Sequence, residues 1–187
     1  MIKLFLGLSI FCAVATSRAE IIQVTALAVV GGKAITNTDV VKDIFVESPL
    51  LLKSSQNYVP SQKQLEQGLQ RLITQKMVAE EYKIFGGEKA PDEVMKRELS
   101  RLRLSAGTLL WGNFMRKYEL KDSDLRESLA EKWYLKQVLA QRSKQALENV
   151  KEPLKDEQKA SLIRKNLEDW LEQLRGRYKV QILKTSS

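Results

Sequence analysis

The sequence predicts a mainly α fold: six helices, with N- and C-terminal β-strands paired in a small sheet. Three observations carry this. Val24, Ala26, Ala28 and Val30 alternate near the start, as in a half-buried strand. Ile163, Leu167, Trp170, Leu171, Leu174 and Tyr178 recur at helical spacing near the end, the clearest amphipathic stripe in the chain. One strand or hairpin opens the chain after the leader, one strand closes it, and the periodic segments between are helical. A lone strand does not satisfy its backbone hydrogen bonds, and residues about 24 to 30 are therefore expected to pair with about 179 to 184.

The first stretch reads as a targeting segment. Lys3 supplies a positive start, residues 4–15 are an apolar run, and Ser17-Arg18-Ala19 offers small residues around a cleavage point. This is the pattern of a secretory signal peptide, 1–19, with cleavage after Ala19. The other reading is a retained anchor, although the run is short for a span of roughly 20 residues. Phe11 is bulky for the residue before a lipidated Cys12. One domain is expected over 20–187, with 20–150 as its N-terminal segment and 156–187 as a closing helix and strand.

The elements follow in order. Gly31-Gly32 suits a two-residue hairpin turn, because glycine reaches positive φ without steric cost. Lys33-Ala34-Ile35 is a short restart. Thr36 and Asp39 stand in capping-box spacing and open a first helix, expected through about Leu52. Residues 54–57 read as a loop. Pro60-Ser61, with Gln64, opens a second helix carrying Leu65, Leu69, Leu72 and Ile73 and ending at Gly86-Gly87. Pro91 fits the first turn of a third helix with Val94, Leu99 and Leu102. A short fourth helix spans about Thr108 to Tyr118. Asp122 or Ser123 caps a long fifth helix reaching about Val150. Pro153 interrupts, Asp156 begins the sixth helix, and Tyr178, Val180 and Ile182 form the inward side of the last strand.

Composition excludes much chemistry. There is no histidine, and the single cysteine, Cys12, lies in the leader. Ser-His-Asp triads, Cys-His pairs and histidine-ligated metals are excluded. No GxxxxGK[ST] or GxGxxG run cradles a phosphate. The paired acids Glu80-Glu81 and Asp92-Glu93 would be the material for a carboxylate hydrolase. Neighbours on a helix point about 100° apart, however, and a solvated face or a first-turn acid explains them. No enzyme, cofactor or metal is expected. The net charge of +8 falls to +6 without Lys3 and Arg18, and basic residues mix with acids along helices, as in 164–175. That reads as a solvated surface, not a nucleic-acid interface. No segment after the leader is apolar enough to span a membrane.

The residues also carry a resemblance. "ALAVVGGKAITNTDVVKDI" (26–44), "LQRLITQKMVAEEYKIFGG" (69–87) and "EDWLEQLRGRYKVQIL" (168–183) resemble, in order and spacing, the SurA-type periplasmic chaperones. The similarity runs from about Val24 to Leu183. The resemblance implies a chaperone core, closed by its two ends, that holds unfolded outer-membrane or exported proteins without ATP. It implies a periplasmic location and unfolded polypeptides as partners. Family members usually carry parvulin prolyl isomerase domains between the long helix and the closing helix. Here that gap is 151–155, and parvulin sites use histidine, so isomerase activity is not carried over. Glu119 also departs from the family, which often places glycine after its fourth helix. Client contacts are expected among Met77, Tyr82, Trp111, Phe114, Met115, Tyr118, Trp133 and Tyr134, since methionine and aromatics suit an adaptable apolar groove. Core packing is the competing role for each. The competing function is an adaptor or structural subunit that docks one fixed partner or forms a homodimer. The oligomeric state stays open.

Overall fold

A computed structural model describes residues 24–49, 60–148 and 155–183. The expected leader with Cys12, the expected loop at 54–57, and Pro153 with most of the expected 151–155 gap lie outside the described residues.

The described chain is mainly helical with one small sheet, as expected. Strands β1 (Ala26–Val30) and β2 (Lys33–Thr36) form a hairpin. Its turn residues Gly31 and Gly32 have φ of 55° and 79°, the double positive φ that a type I′ turn requires. The register slips between Ala26 and Ala28, so Leu27 bulges. Strand β3 (Gln181–Ile182) pairs antiparallel on the other side of β1, placing Ala28 opposite Ile182 and Val29 opposite Gln181. The strand order is β2-β1-β3. The two ends of the domain therefore meet.

Helix α1 (Asn37–Glu47) starts at the expected capping box: Asp39 N–H donates to Thr36 Oγ1 at 3.2 Å, and Thr36 N–H donates to Asp39 Oδ2 at 3.0 Å. It ends five residues before the expected Leu52. Pro49 disfavours helical geometry at Ser48, which sits at φ −148° and ψ 72°. Residues 50–52 lie outside the described residues. Helix α2 (Gln62–Ile84) opens with the Ser61–Gln64 box. Helices α3 (Asp92–Ala106) and α4 (Thr108–Lys117) meet at Gly107, whose φ is 79°. Helix α5 (Asp122–Glu148) begins after Lys121, whose N–H donates to Asp124 Oδ2 at 2.7 Å. Residues 149–150, the expected end of that helix, are not described. Helix α6 (Asp156–Arg177) leads into β3.

Gly68 sets the α1–α2 spacing. A Cβ there would stand 2.9 Å from Val40 Cγ1 and 3.4 Å from Ile44 Cγ1, so only glycine lets these helices approach so closely. The main core joins Ala28, Val30 and Ile35 of the hairpin to Val40 and Ile44, to Leu72, Ile73, Met77 and Val78 of α2, and to Trp170 and Leu174 of α6. A second core gathers Phe45, Leu99, Leu102, Trp111, Phe114 and Leu125. Ile182 departs from the expectation of an inward strand face: it is 55% exposed, in a two-residue strand at the edge of the sheet, with no further strand beside it among the described residues. Tyr178 and Val180 do pack against the main core.

The closing segment is held by polar contacts as well. Gly31 N–H donates to Tyr178 O at 2.8 Å, tying the hairpin turn to the end of α6. Glu81 of α2 is 4% exposed and accepts from Arg177 Nη1 and from Tyr178 Oη. A buried carboxylate needs such donors, since an unpaired buried charge is strongly destabilising.

Candidate functional site

An open concavity lies between α1, α2 and α5, with Glu98 of α3 among its lining residues. Its volume is about 1060 Å³. Helix α1 contributes its last turn, Val46 and Glu47. Helix α2 contributes the stripe of Gln67, Gln70, Arg71, Thr74 and Gln75, and α5 contributes Leu129, Lys132, Leu135 and Lys136. The stripe exists because α2 buries Leu69, Leu72 and Ile73 on one side and so turns residues 67, 70 and 74 the other way.

A polar network forms the base. Asp43 is 1% exposed. Its Oδ2 accepts from Arg71 Nε at 3.0 Å and Nη2 at 2.7 Å, and its Oδ1 accepts from Gln75 Nε2 at 3.2 Å. Lys132 Nζ lies 3.9 Å from Asp43 Oδ1 and 2.6 Å from Glu47 Oε1. Burial pushes the Glu47 carboxyl pKa up. The hydrogen bond and charge of Lys132, with Arg71 and Lys136 nearby, outweigh that effect and hold it below the usual glutamate value. Deeper along the α2–α5 interface Lys76 Nζ donates to the buried Glu131 at 2.6 Å. Among the described residues two buried polar side-chain atoms have no partner, Thr38 Oγ1 and Gln75 Oε1. Gln75 stands in the wall of the groove.

None of the eight sequence-predicted contact residues lines this groove. Met77 is fully buried, and Trp111, Phe114 and Tyr134 are buried as well. Phe114 stacks on Phe45 with centroids 3.8 Å apart, Trp111 lies 6.0 Å from the same ring, and Tyr118 lies 4.9 Å from Phe114. Met115 and Tyr118 are half-buried at the edge of that cluster. Tyr82 stacks on Tyr134 at 5.1 Å and meets Trp133 edge-on at 6.2 Å, with Tyr82 and Trp133 half-buried. The aromatics thus form two packing clusters, and in this structure Met77, Trp111, Phe114 and Tyr134 offer almost no open surface. The large apolar side chains that are exposed are not among the eight expected contacts. They include Ile84 and Phe85 at the end of α2, Leu104 and Leu109 beside the α3–α4 junction, and Val24, Ile182 and Leu183 by the sheet.

Among the described residues no cluster of acids, histidines or cysteines has the arrangement to hold a metal, and no helix is long and apolar enough to cross a membrane. No protein family, curated protein or solved structure matches the chain. The likeness to SurA-type chaperones therefore rests on the three quoted segments.

Proposed function

We propose that the protein is an ATP-independent holding chaperone, exported to the periplasm, that binds unfolded outer-membrane or exported polypeptides. The observation that carries this reading is the open groove of about 1060 Å³, which brings apolar Val46, Leu129 and Leu135 beside long, adaptable polar side chains. An open trough of this kind admits an extended chain, whereas small-molecule sites are usually more enclosed. The motif order and the meeting of the two chain ends support the same reading. The proposed contact surface is the groove together with the half-buried Tyr82, Met115, Tyr118 and Trp133.

A second reading, an adaptor or a homodimer subunit, draws on Ile84 and Phe85, which are 68% and 72% exposed side by side. Such a pair suits a fixed apolar contact. The two readings separate in an aggregation assay with several unrelated unfolded proteins diluted from denaturant. A holding chaperone suppresses light scattering for all of them, without nucleotide. Suppression of none of them, with saturable binding of one folded protein or of a second copy, replaces the first reading with the second.

A further inference from the structure

The corner where α3 meets α4 combines exposed leucine with concentrated positive charge. Leu104 is 81% exposed and Leu109 is 71% exposed, on either side of Gly107. Helix α3 buries Met95, Leu99, Leu102 and Ala106, and α4 buries Trp111 and Phe114. Leu99, Leu102, Ala106, Trp111 and Phe114 share the second core, so the outer faces of both helices turn away from it. Helical spacing sets Arg97 and Arg101 on the outer face of Leu104, two turns and one turn before it. Arg116 stands two turns after Leu109 on the outer face of α4, with Asn113 between them. The leucines thus lie beside the junction and the arginines lie further out along both helices.

Residues 96–117 hold six basic side chains and one acid, Glu98, against a net charge of +8 for the whole chain. Lys96 is drawn to Glu93, and Arg103 to Asp122 and the Trp111 ring. Arg97 and Arg101 share the single carboxylate of Glu98. Arg116 and Lys117 meet no carboxylate among the described residues, and Lys117 lies over the Tyr118 ring. Exposed pairs of this kind hold weakly and exchange readily for a stronger anion.

This combination selects among anionic partners. A nucleic-acid backbone meets the arginines but gives the leucines nothing apolar to enter. A second copy of the same corner brings like charges together. An anionic lipid surface satisfies both features, since leucine enters the acyl boundary while guanidinium groups on long stems stay with the phosphates. We infer that the α3–α4 corner docks on a membrane carrying anionic lipid, with Leu104 and Leu109 inserted and Arg97, Arg101 and Arg116 on the headgroups. The docking is peripheral, and it is independent of the α1–α2–α5 groove and of the holding activity.

The test is co-sedimentation of the full chain with vesicles of phosphatidylcholine alone and of phosphatidylcholine mixed with phosphatidylglycerol. The parent should bind the mixed vesicles more tightly, and the preference should shrink as salt is added. Arg97→Gln/Arg101→Gln should weaken binding to mixed vesicles roughly 30-fold, about fivefold per charge. Leu104→Gln/Leu109→Gln should weaken it roughly tenfold. Arg164→Gln/Lys165→Gln, at exposed positions of α6, should leave it nearly unchanged. All these side chains are exposed, so the variants should melt with the parent. A local readout is independent of the apolar leader: an environment-sensitive dye on Leu104→Cys, in the Cys12→Ser chain, should shift to the blue with mixed vesicles only. No preference for mixed vesicles and no dye shift overturns the inference. So does an equal loss in the α6 variant, which would mean unspecific charge attraction, or full binding by the leucine variant. Binding of a DNA duplex that depends on Arg97 and Arg101, without binding of vesicles, replaces lipid with nucleic acid. Suppression of aggregation is read separately, so the chaperone reading stands or falls on its own assay.

Discussion

Glu119 and Lys179 are non-glycine residues at positive φ, 51° and 46°. Each follows a helix in a Schellman arrangement. Leu120 N–H donates to Met115 O at 2.9 Å and Glu119 N–H to Arg116 O at 3.3 Å; Val180 and Lys179 repeat this on Arg175 and Gly176. The same motif at the end of α2 places Gly86 at that position. The unusual residue at 119 was visible in the sequence as a missing glycine, and it leaves the helix end where expected. A left-handed L-residue costs roughly 1–2 kcal/mol, part of which glycine returns as backbone entropy. Glu119→Gly should therefore raise the melting temperature by about 1–4 °C. A lower melting temperature by differential scanning calorimetry would show that the strain is absent or that Glu119 contributes elsewhere. Tyr178 is a second single-residue test. Burial first, and then its hydrogen bond to Glu81, push its pKa up to about 12. The unfolded tyrosine loses its proton near pH 10, while the folded one retains it. This stabilisation is complete below about pH 10 and is lost as the pH rises toward about 12. Tyr178→Phe should flatten that part of the alkaline stability curve; identical slopes for both proteins would refute the coupling.

Helix α4 shows where element-level reading succeeded and where it stopped. Its expected span of about Thr108 to Tyr118 matches the observed Thr108–Lys117. Trp111, Phe114, Met115 and Tyr118 were expected among the client contacts, but Phe45 of α1 reaches in and stacks on Phe114. A contact between helices separated by more than 60 residues leaves no mark in local periodicity. Phe114→Ala should now behave as a core truncation and cost about 3–5 kcal/mol, as should Trp170→Ala. Met115→Ala, at a half-buried position, should cost much less. Equal losses for Met115 and Phe114 in chemical denaturation would contradict this division. The β3 segment is the other element whose role is testable. Deleting residues 178–187 removes Tyr178 and Val180 from the main core, at roughly 1.5–3 kcal/mol for each fully buried large side chain and less for these half-buried ones. It also takes one of two donors from the buried Glu81. The shortened protein should unfold at clearly lower denaturant concentration, and an unchanged midpoint would mean that the pairing of the chain ends is dispensable.

At the scale of the molecule, the first and last strands meet in one sheet, with β2 of the opening hairpin on the other side of β1; that arrangement was legible because the closing strand pattern has only helical segments before it and needs the opening strand as its partner. The groove was not. Gln67, Gln70, Thr74, Lys132 and Lys136 look in the sequence like the solvated side of two long helices. They face a common space only because Gly68 draws α1 onto α2 and because Asp43 collects Arg71, Gln75 and Lys132 from two helices. The central claim is that this molecule recognises the unfolded state of other proteins and not a folded partner. The most direct measurement is titration calorimetry against one protein in two forms, natively folded and held permanently unfolded by reduction and alkylation of its cysteines. The account predicts saturable binding to the unfolded form and none to the folded form, at equal concentration and without nucleotide. Binding to neither form, or equal binding to both, would contradict it.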